Sequence, residues 1–156
     1  MSKMTIGELR SKIGHARISA IGACLIILDS NGHILMIRRK EGNYGLPGGV
    51  KEMDETFEEC VIRETFEEVG LTIQPQDLTL LGVLGGKAFY YEYPNGDQIE
   101  SCGAIYIARC PTDQVPQVDD DEATDYSYHS IDTLPENIRN FEEAALERYR
   151  MYISAI

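Results

Sequence analysis

Residues 49–71 read GVKEMDETFEECVIRETFEEVGL, and this stretch decides the fold. From Glu55 to Val69 it contains neither glycine nor proline, Asp54 offers a cap in front of it, and Gly70 stands where a helix stops. The pattern therefore predicts a helix over Glu55–Val69. At roughly 100° per residue, Phe57, Val61, Glu64 and Glu68 fall within about 60° of one another, with Glu67 about 60° beyond Glu64. Three carboxylates thus share one side of the helix. Ile62, Phe66 and Val69 form a second apolar stripe, so the helix is expected to pack on both sides and to leave little room for a merely solvated acid face.

Carboxylates gathered on a packed helix repel one another, and each costs several kcal/mol to desolvate. A divalent cation removes that conflict. Hard oxygen donors without a neighbouring His or Cys cluster suit magnesium or manganese, and magnesium commonly completes its coordination with phosphate oxygens. The alternative is a solvated acidic helix held by pairs such as Glu59 with Arg63.

Outward from the helix, Glu41–Val50 is glycine-rich around Pro47 and reads as a loop. Before it, Ile18–Leu28 and His33–Arg38 read as two strands of a hairpin turned at Asp29-Ser30-Asn31-Gly32, and Thr5–Ile13 reads as a short packing helix. After it, Leu71–Ile73, Leu78–Leu84, Ala88–Tyr93 and Gln98–Ala108 are strand-like. Pro94-Asn95-Gly96-Asp97 turns between the last two, Pro111–Asp121 is polar loop, and Tyr126–His129 is a short strand. Phe141, Ala145, Tyr149 and Tyr152 recur at helical spacing and predict a closing helix over Glu136–Ile153. Strands interrupted by one helix and finished by another give an α/β fold, a mixed sheet covered on both faces as an α/β/α sandwich.

The chain has 156 residues, enough for one domain over 1–156. Asp and Glu number 26 against 14 Lys and Arg, a net charge of −12 that repels the phosphate backbone of long nucleic acid. Half of that imbalance lies in residues 49–71, where eight acids stand against Lys51 and Arg63. Cys24, Cys60, Cys102 and Cys110 show no CxxC spacing and read as reduced structural thiols. The longest apolar run, Ala23–Leu28, is too short to span a bilayer and no signal-peptide core is visible, so a cytoplasmic location is expected.

With these residues in view, the stretch resembles the Nudix box, Gly-x5-Glu-x7-Arg-Glu-U-x-Glu-Glu-x-Gly-U with U aliphatic. Gly49, Glu55, Arg63, Glu64, Glu67, Glu68, Gly70 and Leu71 match eight of nine defined positions, and Thr65 departs from the aliphatic one. The lead-in Tyr44-Gly45-Leu46-Pro47-Gly48-Gly49 also resembles that family's, with Tyr in place of the commoner Trp. The resemblance implies a hydrolase that cleaves a diphosphate link in a nucleoside diphosphate derivative with Mg2+ or Mn2+. It implies Glu64, Glu67, Glu68 and the Gly48 carbonyl as metal ligands, with Glu122, or else Asp125, as the acid outside the box. Arg63 is expected to orient the cluster by pairing with Glu55 or Glu59, and Glu64 or Glu67 to act as base.

Arg38, Arg39 and Lys40 are candidates for meeting substrate phosphates, although strand alternation lets at most two of them face the site. Tyr44 is a candidate for stacking on a base. Beyond the box, where ADP-ribose hydrolases of the family tend to carry proline, the chain reads Leu84-Gly85-Gly86-Lys87. Where dinucleoside polyphosphate hydrolases tend to carry tyrosine it has Phe89-Tyr90-Tyr91. This tilts the expected substrate toward nucleoside or dinucleoside polyphosphates, with Tyr90 at the site, and away from ADP-ribose or nucleotide sugars. A small nucleotide is the expected partner, without membrane contact, and a homodimer is admitted. Rival readings are a nucleotide sensor that no longer cleaves and an isomerase acting through Cys60 or Cys102.

Overall fold

The computed structural model describes residues 3–156. The elements in order are α1 (Ile6–Ile13), β1 (Ile18–Leu28), β2 (Ile34–Arg39), β3 (Tyr44–Gly45), β4 (Gly48–Val50), α2 (Phe57–Val69), β5 (Thr79–Leu84), β6 (Tyr90–Glu92), β7 (Gln98–Arg109), β8 (Ala123–His129) and α3 (Asn140–Ser154). Among the described residues no helix is long and apolar enough to cross a membrane.

The strands form one eight-stranded sheet along the path β3-β2-β1-β7-β5, with β4 on β1, β6 on β7 and β8 on β2. Among the described strands only β1 and β7 pair in parallel, from Ile18↔Ile99 to Leu28↔Arg109, while the other strand pairs are antiparallel, so the sheet is mixed. Along its other edge β1 pairs with β4 through Gly22, Ala23 and Cys24 and with β2 at Leu28. The sheet therefore forks at β1, and the fork holds the site.

Alternation along the strands builds the two cores. Ala23, Leu25, Ile27, Leu35, Ile37, Ala104 and Tyr106 meet Cys60, Val61 and Val69 of α2. Cys24, Ile26, Leu28, Ile34, Met36 and Ile105 meet Ala145, Leu146 and Tyr149 of α3. Successive side chains of a strand point to opposite faces, so strands covered by helices on both sides read as the unbroken apolar runs seen in β1 and β2. The sandwich expected from the sequence is the one observed.

Several local expectations are corrected. The α2 cap is Thr56, whose side chain accepts from the Glu59 N–H while Glu59 reaches back to the Thr56 N–H, and Glu55 lies before the helix. Asp54 instead takes a positive φ of 64° in the preceding turn. Phe66 is 59% exposed, so α2 has one buried face and not two packed sides. Residues 71–73 form no strand, yet Leu71 and Ile73 still bury in the core. The 41–50 loop contains the short strands β3 and β4, because their ladders are supplied by β2 and β1 across the sheet. Within Ala88–Tyr93 a 3-10 turn at Lys87–Phe89 precedes a strand of only Tyr90–Glu92. The last helix starts at Asn140, after an irregular 136–139.

Candidate active site

The register of β4 on β1 explains the site's floor. Leu25 N–H bonds to the Pro47 carbonyl and Lys51 N–H to the Ile21 carbonyl, which leaves the backbone groups of Gly48 and Val50 turned away from β1. The Gly48 N–H donates to Glu68 Oε2 at 2.7 Å, and the Val50 carbonyl accepts from Arg63 Nη2 at 3.2 Å. Gly48, with φ of 154°, abuts β1 so closely that a Cβ there would stand 2.3 Å from the Ala23 carbonyl oxygen. A Cβ on Gly49 would stand 2.5 to 2.7 Å from the Glu64 carboxylate. Two glycines are what allow α2 to set its acids against the strand.

Arg63 organises those acids. Its Nε donates to Glu55 Oε1 at 2.5 Å and its Nη2 to Glu55 Oε2 at 3.0 Å, a two-pronged pair, and Nη1 reaches Glu64 at 2.8 Å and Glu67 at 3.1 Å. The partner is thus Glu55, while Glu59 is spent on the helix cap. Burial pushes the Glu64 carboxyl up from its ordinary range against the pull of Arg63, and Glu67 and Glu122 push it further. Glu68 lies on the buried face of α2, and burial raises it to about 8 despite Arg39 and the Gly48 N–H. Glu67 is different, with its side chain 54% exposed at the rim.

Behind Glu68 lies a buried ion network. Arg39 Nη1 is 3.5 Å from Glu68 Oε1, and Arg39 Nη2 is 2.9 Å from Glu142 Oε1 of α3. Glu142, nearly fully buried, also accepts from the Leu46 N–H at 3.3 Å and from Arg139 Nε at 3.3 Å. Gly45 makes room for this pair, since a Cβ there would meet Arg39 Nη2 and Glu142 Oε1 at 2.6 Å each.

Two adjoining hollows open over this floor and share Arg39, Gly48, Gly49, Tyr91, Tyr93 and Arg139. One is walled by Glu64, Glu68, Asp121, Glu122, Lys40 and Glu41. The other is walled, beyond the shared residues, by Ile99, Cys102 and Phe141. Together they make a cleft with an acidic hollow and a more apolar one, and Tyr91 and Tyr93 stand where the two meet. The Arg139 guanidinium lies over the Tyr91 ring at 5.5 Å, at the join.

The fold brings together Gly48, Glu64, Glu68, Glu122, Arg39 and Lys40, with Glu67 at the edge. Other candidates lie apart. Asp125 pairs in register with Arg38 on β8 and β2, and neither lines the cleft. Tyr44 packs edge-on against His129 with centroids 6.2 Å apart, outside both hollows. Tyr90 lies beneath the Arg17 guanidinium and donates its hydroxyl to Glu92, on the opposite side of β6 from the cleft-lining Tyr91. Tyr91, Tyr93, Arg139 and Glu142 are the residues sequence reasoning missed. Period-2 alternation along Tyr90–Tyr93 put Tyr91 and Tyr93 on one face, whereas nothing local in the sequence announces Arg139 or Glu142.

All four cysteines are free. Cys60 is fully buried, with its thiol pushed up to about 12 by burial, which opposes a nucleophilic role.

Among the described residues no three His, Cys, Asp or Glu side chains are already drawn into a metal cage. The donor set nevertheless fits a hard divalent cation, being all oxygen, with Glu64 and Glu68 held above their ordinary range by burial and mutual repulsion that a cation would relieve.

The family model described as NUDIX domain matches residues 19–150. A stretch of 63 residues is 38% identical to a MutT-like protein of Streptomyces ambofaciens, covering 40% of this chain and 41% of that one. A stretch of 61 residues is 46% identical to an ADP-ribose pyrophosphatase of Methanocaldococcus jannaschii, covering 36% of this chain and 35% of that one. The chain thus matches less than half the length of these two curated relatives. The crystal structure of a MutT NUDIX hydrolase from Burkholderia pseudomallei superposes with a TM-score of 0.70 at 29% identity, covering 84% of this chain and 98% of that one.

Proposed function

This chain belongs to the Nudix family, and from that premise we propose that it hydrolyses a diphosphate link in a nucleoside diphosphate derivative with the help of Mg2+ or Mn2+. The observation that carries the reading is the cleft itself, in which a carboxylate-lined hollow runs directly into a more apolar one past Tyr91 and Tyr93. A nucleotide fits that division, with its charged phosphates by the acids and a flat base against Tyr91 and Tyr93.

Glu64, Glu67, Glu68 and the Gly48 carbonyl would hold the cation, with Glu122 as the acid from outside the helix. When bound, the cation supplies charge neutralisation for the phosphate oxygens. Arg63 keeps Glu64 and Glu67 oriented by anchoring them to Glu55 and the Val50 carbonyl. Glu64 takes the proton of the attacking water as the water oxygen bonds to phosphorus and the bridging oxygen departs with the bonding electrons. Glu67 is the alternative base, but Glu64 lines the cleft and Glu67 does not. Lys40 borders the acidic half and Arg139 the join, where each can pair with phosphate oxygens.

Nucleoside and dinucleoside polyphosphates come first among substrates, because Tyr91 and Tyr93, set edge to face, each bring an aromatic ring to the cleft. ADP-ribose comes second, on the strength of the M. jannaschii relative. The test is a panel of ADP-ribose, diadenosine tetraphosphate and nucleoside triphosphates incubated with Mg2+ or Mn2+, with products separated by chromatography. Two products, each ending in phosphate, are expected from at least one compound. Binding without turnover of any of them would favour a nucleotide sensor.

A further inference from the structure

We infer that Glu142, on the last helix and far in sequence from the acidic helix, is a positioning residue that holds Arg39 off Glu68 and so leaves Glu68 free to bind a cation. The inference rests on the reading above that Glu68 is a cation ligand.

Arg39 is the cation nearest Glu68 in the structure, and it has two carboxylates to choose between. It hydrogen-bonds to Glu142 at 2.9 Å, while its contact with Glu68 is a longer 3.5 Å approach of a different nitrogen, outside the hydrogen bonds made by either group. Glu68 instead takes its short bond, 2.7 Å, from the Gly48 N–H. The Arg39 side chain is 16% exposed, and its Nε is buried without a hydrogen-bond partner among the described residues. A pair this far from the surface is screened less than an exposed one, and a guanidinium released from Glu142 would close on the other carboxylate in reach.

An arginine paired tightly with Glu68 would compete with a metal ion for the same oxygens. Glu142 prevents this by carrying the opposing charge, and it is fixed by the Leu46 N–H, by Arg139 and by its place on α3. Gly45 keeps the space in which the two side chains meet. Four elements outside the acidic helix, β2, β3, the Leu46 turn and α3, therefore set how Glu68 presents itself.

The test is Mn2+ binding to the intact chain without substrate, followed by electron paramagnetic resonance of free Mn2+, for the unsubstituted protein, E142Q, R39Q and R39Q/E142Q, with E68Q as the reference for loss of the site. E142Q preserves volume and an acceptor oxygen but not the charge. It should weaken Mn2+ binding about 10- to 100-fold, as outer partners of metal ligands typically do. In the R39Q background the same change should matter less than about twofold, the scatter expected of uncoupled sites. Equal losses in both backgrounds, or no loss in either, would overturn the inference and leave the cation site standing. Should circular dichroism show E142Q alone to be unfolded, R39Q against R39Q/E142Q decides: equal affinities support the inference and a tenfold difference overturns it. Absence of any Mn2+ binding that E68Q removes would overturn the cation site, and the role of Glu142 with it.

Discussion

The carboxylate of Glu64 occupies the space directly above Gly49, 2.5 Å from where a Cβ would be, so the side chain that faces the cleft is seated on a residue that has none. G49A is therefore expected to push Glu64 off its seat. Overpacking of this kind costs about 1–3 kcal/mol of stability. A displacement of about 1 Å at a reacting group costs on the order of 100-fold in rate. Denaturant unfolding and turnover measured on the same preparation check the two effects. Normal turnover in a folded G49A would show that the position of Glu64 is unimportant.

Thr65 is wholly buried in α2 and its hydroxyl has no hydrogen-bond partner. It stands where the family pattern asks for an aliphatic residue. T65V removes a buried orphan group while keeping the shape, and should stabilise the protein by about 1 kcal/mol. At this chain size that raises the melting temperature by about 2–4 °C. A lower melting temperature would mean that the hydroxyl has a partner in solution.

Tyr91 borders the cleft and Tyr90 does not, so base stacking is expected at Tyr91. Y91L is expected to raise KM, since loss of a base–aromatic stack costs about 1–3 kcal/mol. Y90L should leave KM unchanged. Steady-state kinetics on the best substrate of the panel distinguish them, and the reverse pattern would restore the assignment made from sequence position alone.

That tyrosine pair shows where sequence reading reached its limit. The acidic helix was legible because thirteen residues without a breaker, ended by Gly70, carry a helical period that needs no partner to be recognised. Its start was misplaced by two residues because Asp54 and Thr56 are both good caps, although only Thr56 has a Glu three places on to complete the box. The strands β3 and β4 were hidden by their glycines and Pro47, since their hydrogen bonds come from β2 and β1. The phosphate-facing role suggested for Arg39 could not be checked against Glu142, a residue 103 positions away that holds it. Contacts closed by the fold leave no local mark on either strand or helix.

Cation binding should be visible in stability before any substrate is added. A ligand that binds only the folded state stabilises it by about 2.7 kcal/mol at a concentration 100 times its Kd. Saturating Mg2+ or Mn2+ should therefore raise the melting temperature of the unsubstituted protein but not of E68Q. Metal-free E68Q should melt no lower than the metal-free parent, because burial already holds the Glu68 carboxyl far above its ordinary range and the glutamine keeps an oxygen that can accept from the Gly48 N–H. A metal-induced shift of equal size in both proteins would place the cation elsewhere.

The most direct measurement is the turnover of E64Q, E67Q and E68Q on the best substrate, with each variant verified as folded. The account predicts that E64Q and E68Q fall by about 100-fold or more, the usual consequence of disturbing electrostatic stabilisation in a closed site, with E67Q also reduced. Unchanged turnover in all three would contradict it and return the acidic helix to the status of a solvated face.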